Sequence, residues 1–265
     1  MGPLEILRRT PKNNCGRCGY PTCLAFAAAV AREGEEPSRC PFLDRQGLKI
    51  KGAAYRTRSD DEKTLALIVH LREKVSLLDF SLLAGPLGVE WLRENPDTFH
   101  FRYLGQQTVL SKTSILIDDR EPSDHRDQIL LYNYIHGGGG RPPSGDWVGL
   151  ESLPNSISKV RTLTVYCEER LARLFTDSPP KLLLEAARTL DGNPGDSGSA
   201  TIDFVFPVLP MVPLYVLYWE AAPEDGFPAK VKVLFDRHVL DYLDLESLVF
   251  AAERLADRFG TLLES

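Results

Sequence analysis

The sequence predicts an α+β protein: a small, irregular and partly helical N-terminal segment, then a mixed domain of several helices and an antiparallel β-meander. Three observations predict it. Four of the five cysteines, Cys15, Cys18, Cys23 and Cys40, crowd into one Gly- and Pro-containing stretch near the start. Apolar residues recur with helical spacing over much of the chain between Leu65 and Leu190. Between Ala200 and Phe235, alternating or continuous apolar runs are separated by Pro-containing turns. A chain of 265 residues suits two modest domains. The expected division is 1–50, a polar and basic connector 51–60, and 61–265.

In chain order, Asn, Gly and Pro at close spacing over residues 13–22 predict a tight loop, with Gly16 and Gly19 at positive φ. Pro21 and the Ala-rich run from Cys23 predict a helix that ends near Gly34, with Cys23 in its first turn. Glu35 to Ser38 then form a return loop to Cys40. Ser59 and Glu62 match a capping box for a new helix. Leu65 to about Trp91 reads as two helices broken at Gly85-Pro86 and Gly88.

Thr98–Leu104 and Thr108–Leu110 read as a hairpin, with a short strand at Ser114–Ile117. Ser123 is placed to cap a helix through His136 that stops at the four glycines 137–140. Further helices are expected over Ser158–Phe175 and Pro180–Leu190. Three meander strands follow, and Asp244 then caps an amphipathic helix ending at Gly260, with Leu248, Ala251, Ala252, Leu255 and Phe259 on one face.

The net charge of −6 argues against sequence-independent nucleic-acid binding. It is unevenly spread: residues 1–58 hold eleven Lys and Arg against five Asp and Glu, so a basic head precedes an acidic body. No apolar run reaches transmembrane length and the N-terminus lacks a signal-peptide core, so a cytoplasmic location is expected. Clustered cysteines in a reducing compartment favour metal binding over disulfides.

Cys15, Cys18, Cys23 and Cys40 are spaced C-x2-C-x4-C-x16-C, and Pro41 follows the last. Structural zinc usually draws on two close-spaced cysteine pairs, whereas here one Gly-rich loop supplies three thiols and a lone cysteine beside proline supplies the fourth. The arrangement favours an iron–sulfur cluster. Zinc and four unrelated buried thiols are the alternatives. Basic residues around an anionic cluster ease its reduction, and thiolates in a first helical turn are favoured by the helix dipole.

The stretch Asn14-Cys15-Gly16-x-Cys18-Gly19-Tyr20-Pro21-Thr22-Cys23-Leu24-Ala25-Phe26-Ala27, with Cys40-Pro41 beyond, resembles the small [4Fe-4S] domain of corrinoid iron–sulfur protein large subunits. It is also similar to the cluster domain carried by an electron-transfer component of Rnf-type complexes. The resemblance covers roughly residues 3–50 and implies a [4Fe-4S] cluster on Cys15, Cys18, Cys23 and Cys40 that passes single electrons. No corrinoid-binding barrel is evident after it. The remainder resembles the DUF3786 family through Leu130-Leu131-Tyr132-Asn133-Tyr134-Ile135, Gly145–Leu153 and Phe206-Pro207. Pro213-Leu214-Tyr215, Tyr218-Trp219-Glu220, Phe227-Pro228-Ala229 and Leu234-Phe235-Asp236 continue that resemblance. It implies no reaction, only an association with such cluster domains in anaerobic organisms.

Other signals read as structural. Gly195-Asp196-Ser197-Gly198 imitates a protease nucleophile loop but reads as a turn into the meander. Glycines 137–140 end a helix and lack the Lys-Ser or Lys-Thr of a phosphate loop. His70, His100, His125, His136 and His238 show no metal-ligand spacing, and Cys167 reads as a small buried hydrophobe. Glu220, Glu224, Asp225 and Asp236 are candidates for an acidic cleft near the meander.

No catalytic set of acid, base and nucleophile is found. The expected function is therefore one-electron transfer by a cytoplasmic [4Fe-4S] protein to a partner protein or bound cofactor in anaerobic metabolism. The alternatives are a binding module for a corrinoid, another tetrapyrrole or a small ligand, with the cluster as reductant, and a structural zinc protein.

Overall fold

The computed structural model describes residues 2–33, 35–45 and 53–264. The chain divides into two compact units, Met1–Ala66 and Leu67–Ser265. In the first, helix α1 (Pro3–Leu7) packs with α2 (Cys23–Ala28), which continues into a π-helical turn, Ala29–Glu33. The expected end of this helix at Gly34 lies outside the described residues. A 3-10 turn, Pro37–Arg39, leads to Cys40. Ile6, Phe26, Ala27, Val30 and Leu43 make a small core that also takes in Cys18 and Cys40.

Helix α3 (Ala53–Ser76) spans the division between the units. Its backbone is helical well before Ser59, so that residue lies inside the helix and is not its cap. Ala53, Ala54 and Arg56 are good helix formers and carry the helix upstream.

In the second unit, α4 (Phe80–Leu87) is capped by Asp79, whose carboxylate accepts from Ser81 N–H at 3.0 Å. The helix break expected at Gly85-Pro86 falls instead between Ser76 and Phe80, because Asp79 starts the new helix and Gly88, at φ 64°, ends it. Trp91 lies in β1 (Glu90–Leu92), beyond the helix. β2 (Asn95–Tyr103), β3 (Gln106–Ser111) and β4 (Ile115–Ile117) complete an antiparallel sheet in simple sequence order. Alternation turns Phe99, Phe101 and Tyr103 inward, and Phe80 stacks on Phe99 at 4.0 Å.

Helix α5 (His125–Gly137) is capped by Asp124, whose carboxylate accepts from Arg126 N–H at 2.9 Å, and not by Ser123. Gly138 ends it in the left-handed region. Strand β5 (Trp147–Gly149) precedes α6 (Ile157–Leu163), a π-helical turn Thr164–Glu168, and α7 (Glu169–Asp177), which together form the expected helix over 158–175. Helix α8 (Pro180–Thr189) and strand β6 (Asn193–Pro194) follow.

The meander is β7 (Ile202–Leu209), β8 (Val212–Trp219) and β9 (Lys230–Asp236), in a five-stranded antiparallel sheet ordered β5-β9-β8-β7-β6. Helix α9 (Leu245–Leu263) starts at Asp244, whose carboxylate accepts from Ser247 N–H, and buries all five residues expected on its apolar face. It runs past Gly260, which is buried inside the helix. A Cβ there would meet Arg170 Nη2 at 3.4 Å, so glycine eases the approach of an α7 side chain.

Mixed helices and two antiparallel sheets make this an α+β protein. Among the described residues no helix is long and apolar enough to cross a membrane.

Candidate metal centre

Local backbone chemistry shapes the cysteine loop. Gly16 and Gly19 take φ of 69° and 83°, as the sequence predicts, and Gly19 N–H closes a turn on Gly16 C=O at 2.9 Å. Asn14, at φ 48°, also sits in the left-handed region that Asn tolerates better than most residues. Its Oδ1 accepts from Cys23 N–H at 2.8 Å, while Thr22 Oγ1 accepts from Ala25 N–H at 3.0 Å. Two orphan donors at the start of α2 are thereby satisfied, and Cys23 is held in the first helical turn.

Cys40 is brought back by the 3-10 turn, with its N–H on Pro37 C=O at 3.4 Å. Beside it Arg39 donates to Glu35 at 2.8 Å and lies 5.9 Å over the Tyr20 ring, and the Tyr20 hydroxyl donates to Glu35 at 2.6 Å. The Tyr20 hydroxyl, assisted by Glu36 N–H and Arg39, holds the Glu35 carboxyl below its usual range. The Arg39–Glu35 pair is local, but the Tyr20 contacts across the return loop are not readable from spacing, since Tyr20 lies 15 residues before Glu35.

All four cysteines are free thiols; Cys18, Cys23 and Cys40 are buried and Cys15 is exposed. Among the described residues, no group of three or more His, Cys, Asp or Glu side chains converges as a single-ion site would require. A multi-iron cluster makes a different demand, because its thiolates bind separate irons around a body. The donor set fits one: soft thiols only, on a loop of left-handed residues and a helix start, against an apolar floor of Ile6, Phe26 and Val30.

The remaining sites go elsewhere. Ser197 Oγ accepts from Ala200 N–H at 3.1 Å and its own N–H donates to Asp203, which also takes the Tyr215 hydroxyl, so this is a turn. Burial pushes the Asp203 carboxyl up, but these donors bring it below its ordinary value. Gly137 and Gly139 permit close packing: a Cβ would meet Tyr242 O at 2.7 Å and Pro86 O at 2.9 Å respectively. His238 Nδ1 lies 3.0 Å from Pro142 O, and His70 and His136 are exposed. Cys167 is fully buried, donates to Ala252 C=O, and has its thiol pushed up by burial.

The acidic cleft does not form. Asp236 is 1% exposed and accepts from the N–H groups of Ser144, Gly145 and His238, so it braces a loop. Glu220, Glu224 and Asp225 are exposed at the opposite end of β9, about 20 Å away by strand rise.

Residues 11–42 match the family model described as “Putative Fe-S cluster”. Three relatives illustrate the similarities. The corrinoid/iron-sulfur protein large subunit of Moorella thermoacetica is 50% identical over 51 residues, 19% of this chain and 11% of that protein. The acetyl-CoA decarbonylase/synthase complex subunit gamma 1 of Methanosarcina thermophila is 43% identical over 56 residues, 21% of this chain and 12% of that protein. The gamma subunit of the same complex in Methanosarcina acetivorans is 25% identical over 226 residues, 78% of this chain and 44% of that protein. The chain spans less than half the length of each of these relatives. No solved structure matches significantly. A second family model, the domain of unknown function DUF3786, matches residues 79–258, well over half of the sequence, and the chain therefore belongs to the DUF3786 family.

Proposed function

We infer that residues 1–50 form a [4Fe-4S] domain on Cys15, Cys18, Cys23 and Cys40, and that the protein is a cytoplasmic one-electron carrier of anaerobic metabolism. Residues 61–265 form its second domain, beyond the 51–60 connector. The single observation that carries this reading is the loop itself: three thiols on one Asn- and Gly-bent turn anchored to α2, with a fourth returned by the Pro37 turn. The match to an iron–sulfur model over the same residues supports it.

A bound cluster supplies a centre that takes up and gives back one electron. Cys15, Cys18, Cys23 and Cys40 would hold it by ligation, and the buried Ile6, Phe26 and Val30, packed in one core with Cys18 and Cys40, would exclude water beneath it. Asn14 and Thr22 keep the first turn of α2 in register. The electron partner is a protein or a cofactor held by one, in keeping with relatives named as subunits of larger complexes.

Anaerobic purification, followed by iron and sulfide analysis and EPR of the reduced protein, tests the reading. Four irons and four sulfides per chain are expected. Stoichiometric zinc without sulfide overturns it.

A further inference from the structure

The cysteine loop is lopsided in both exposure and charge. Cys18, Cys23 and Cys40 keep 7%, 7% and 4% of their surface, whereas Cys15 is open to solvent. Electron tunnelling falls steeply with distance, so a partner carrier exchanges electrons where a ligand reaches the surface. Around that point the loop carries cations alone: residues 10–31 include Lys12 and Arg17 and no Asp or Glu among the described side chains.

Arg17 is poised to meet a partner. Its guanidinium lies 5.4 Å over the ring of Phe42, which is 46% exposed, and it makes no ion pair among the described residues. Arg39 differs, because Glu35 and Tyr20 already occupy it. An exposed aromatic ring under an unpaired guanidinium is a composition favoured at protein interfaces, and here nothing within the described chain consumes either group.

We propose that the Cys15–Arg17 stretch, with Phe42 beneath Arg17 and the exposed Lys12 three residues before Cys15, is the docking face for an acidic one-electron carrier protein. The proposal rests on the cluster reading above. The reduced carrier is oxidised by one electron and the loaded chain is reduced by one; no bond forms or breaks and no proton moves. Charge complementarity selects the occupant, since the loop carries Lys12 and Arg17 and no acidic residue although the whole chain carries −6.

That contrast makes the sign of the salt effect decisive. The probe is a flavodoxin of strongly negative net charge, mixed in its reduced form with the iron-loaded full chain in anaerobic stopped flow. Between about 50 and about 500 mM salt the second-order rate is expected to fall by about tenfold. Titration with oxidised flavodoxin, where no electron passes, reports affinity independently. Arg17→Glu is expected to weaken that affinity about tenfold and flatten the salt dependence. Lys181→Glu makes the same charge change at a solvated side chain of α8 and is expected to leave both unchanged.

Iron and sulfide contents of each variant establish that the centre is intact. A loaded chain whose rate rises with salt overturns the docking proposal alone, as does a Lys181→Glu effect equal to that of Arg17→Glu. Absence of iron and sulfide from the native chain overturns the cluster reading and the docking proposal with it.

Discussion

Asn14 Oδ1 accepts the backbone N–H of Cys23 at 2.8 Å, tying the start of the cysteine loop to the first residue of α2. One side chain thus performs two tasks: it tolerates φ 48° and it satisfies a helix-start donor. Asn14→Gly keeps the conformation and loses the acceptor, while Asn14→Ala loses both. Loss of the bond is expected to cost about 1 kcal/mol, and Ala more. The bleaching rate of the visible absorbance under a chelator is expected to rise in the order native, Gly, Ala.

On the proposed cluster function, the cysteines divide by role. Replacing Cys15, Cys18, Cys23 or Cys40 by Ala is expected to remove most bound iron and sulfide. Cys167→Ala is expected to leave both unchanged while lowering stability by about 1 kcal/mol, because a buried sulfur bonded to Ala252 C=O is lost. Metal analysis beside urea unfolding separates the two effects.

Between α5 and α9, Arg254 donates from Nε and Nη2 to both oxygens of Asp127 at 2.7 and 2.8 Å, and the Tyr103 hydroxyl adds a third bond at 2.6 Å. Asp127 is 4% exposed, so Asp127→Ala leaves Arg254 partly buried without that partner. A loss of about 3 kcal/mol in urea unfolding is expected. Asp127→Leu with Arg254→Met, which removes both charges, is expected to recover much of it.

Asp241 supplies a pH dependence. Arg141 donates to it from its guanidinium at 2.8 and 3.0 Å and from its backbone N–H at 3.1 Å, holding the carboxyl at about 2. A carboxyl depressed on folding stabilises the folded state above its ordinary value of 3.8, and that contribution is lost as pH falls toward 2. Asp241→Asn is expected to lower the urea midpoint at neutral pH and to flatten its decline between these two values.

Sequence periodicity carried the hairpin at 98–110, strands β7 and β9 and the apolar face of α9, because each buries residues at the spacing its backbone repeats, while the continuous apolar run of β8 reflects a strand buried on both faces. It failed where local alternatives were close in energy. Asp124 and not Ser123 caps α5, since a carboxylate beside Arg126 is the stronger acceptor. Strands β5 and β6 are too short to display a period, and only pairing with β9 and β7 makes them strands.

At the candidate centre, residue types and spacing marked four thiols as candidate ligands and predicted the left-handed Gly16 and Gly19 that bend the loop, because turn chemistry is local. Which thiol faces solvent was not written in the spacing. Folding of Ile6, Phe26, Val30 and Leu43 into one core buries Cys18 and Cys40, and leaves Cys15 outside. The same folding sets Arg17 over Phe42, whereas Arg39 pairs with Glu35 four residues before it. Burial and the Arg17–Phe42 contact depend on residues distant in sequence, so which thiol faces solvent belongs to the packed structure.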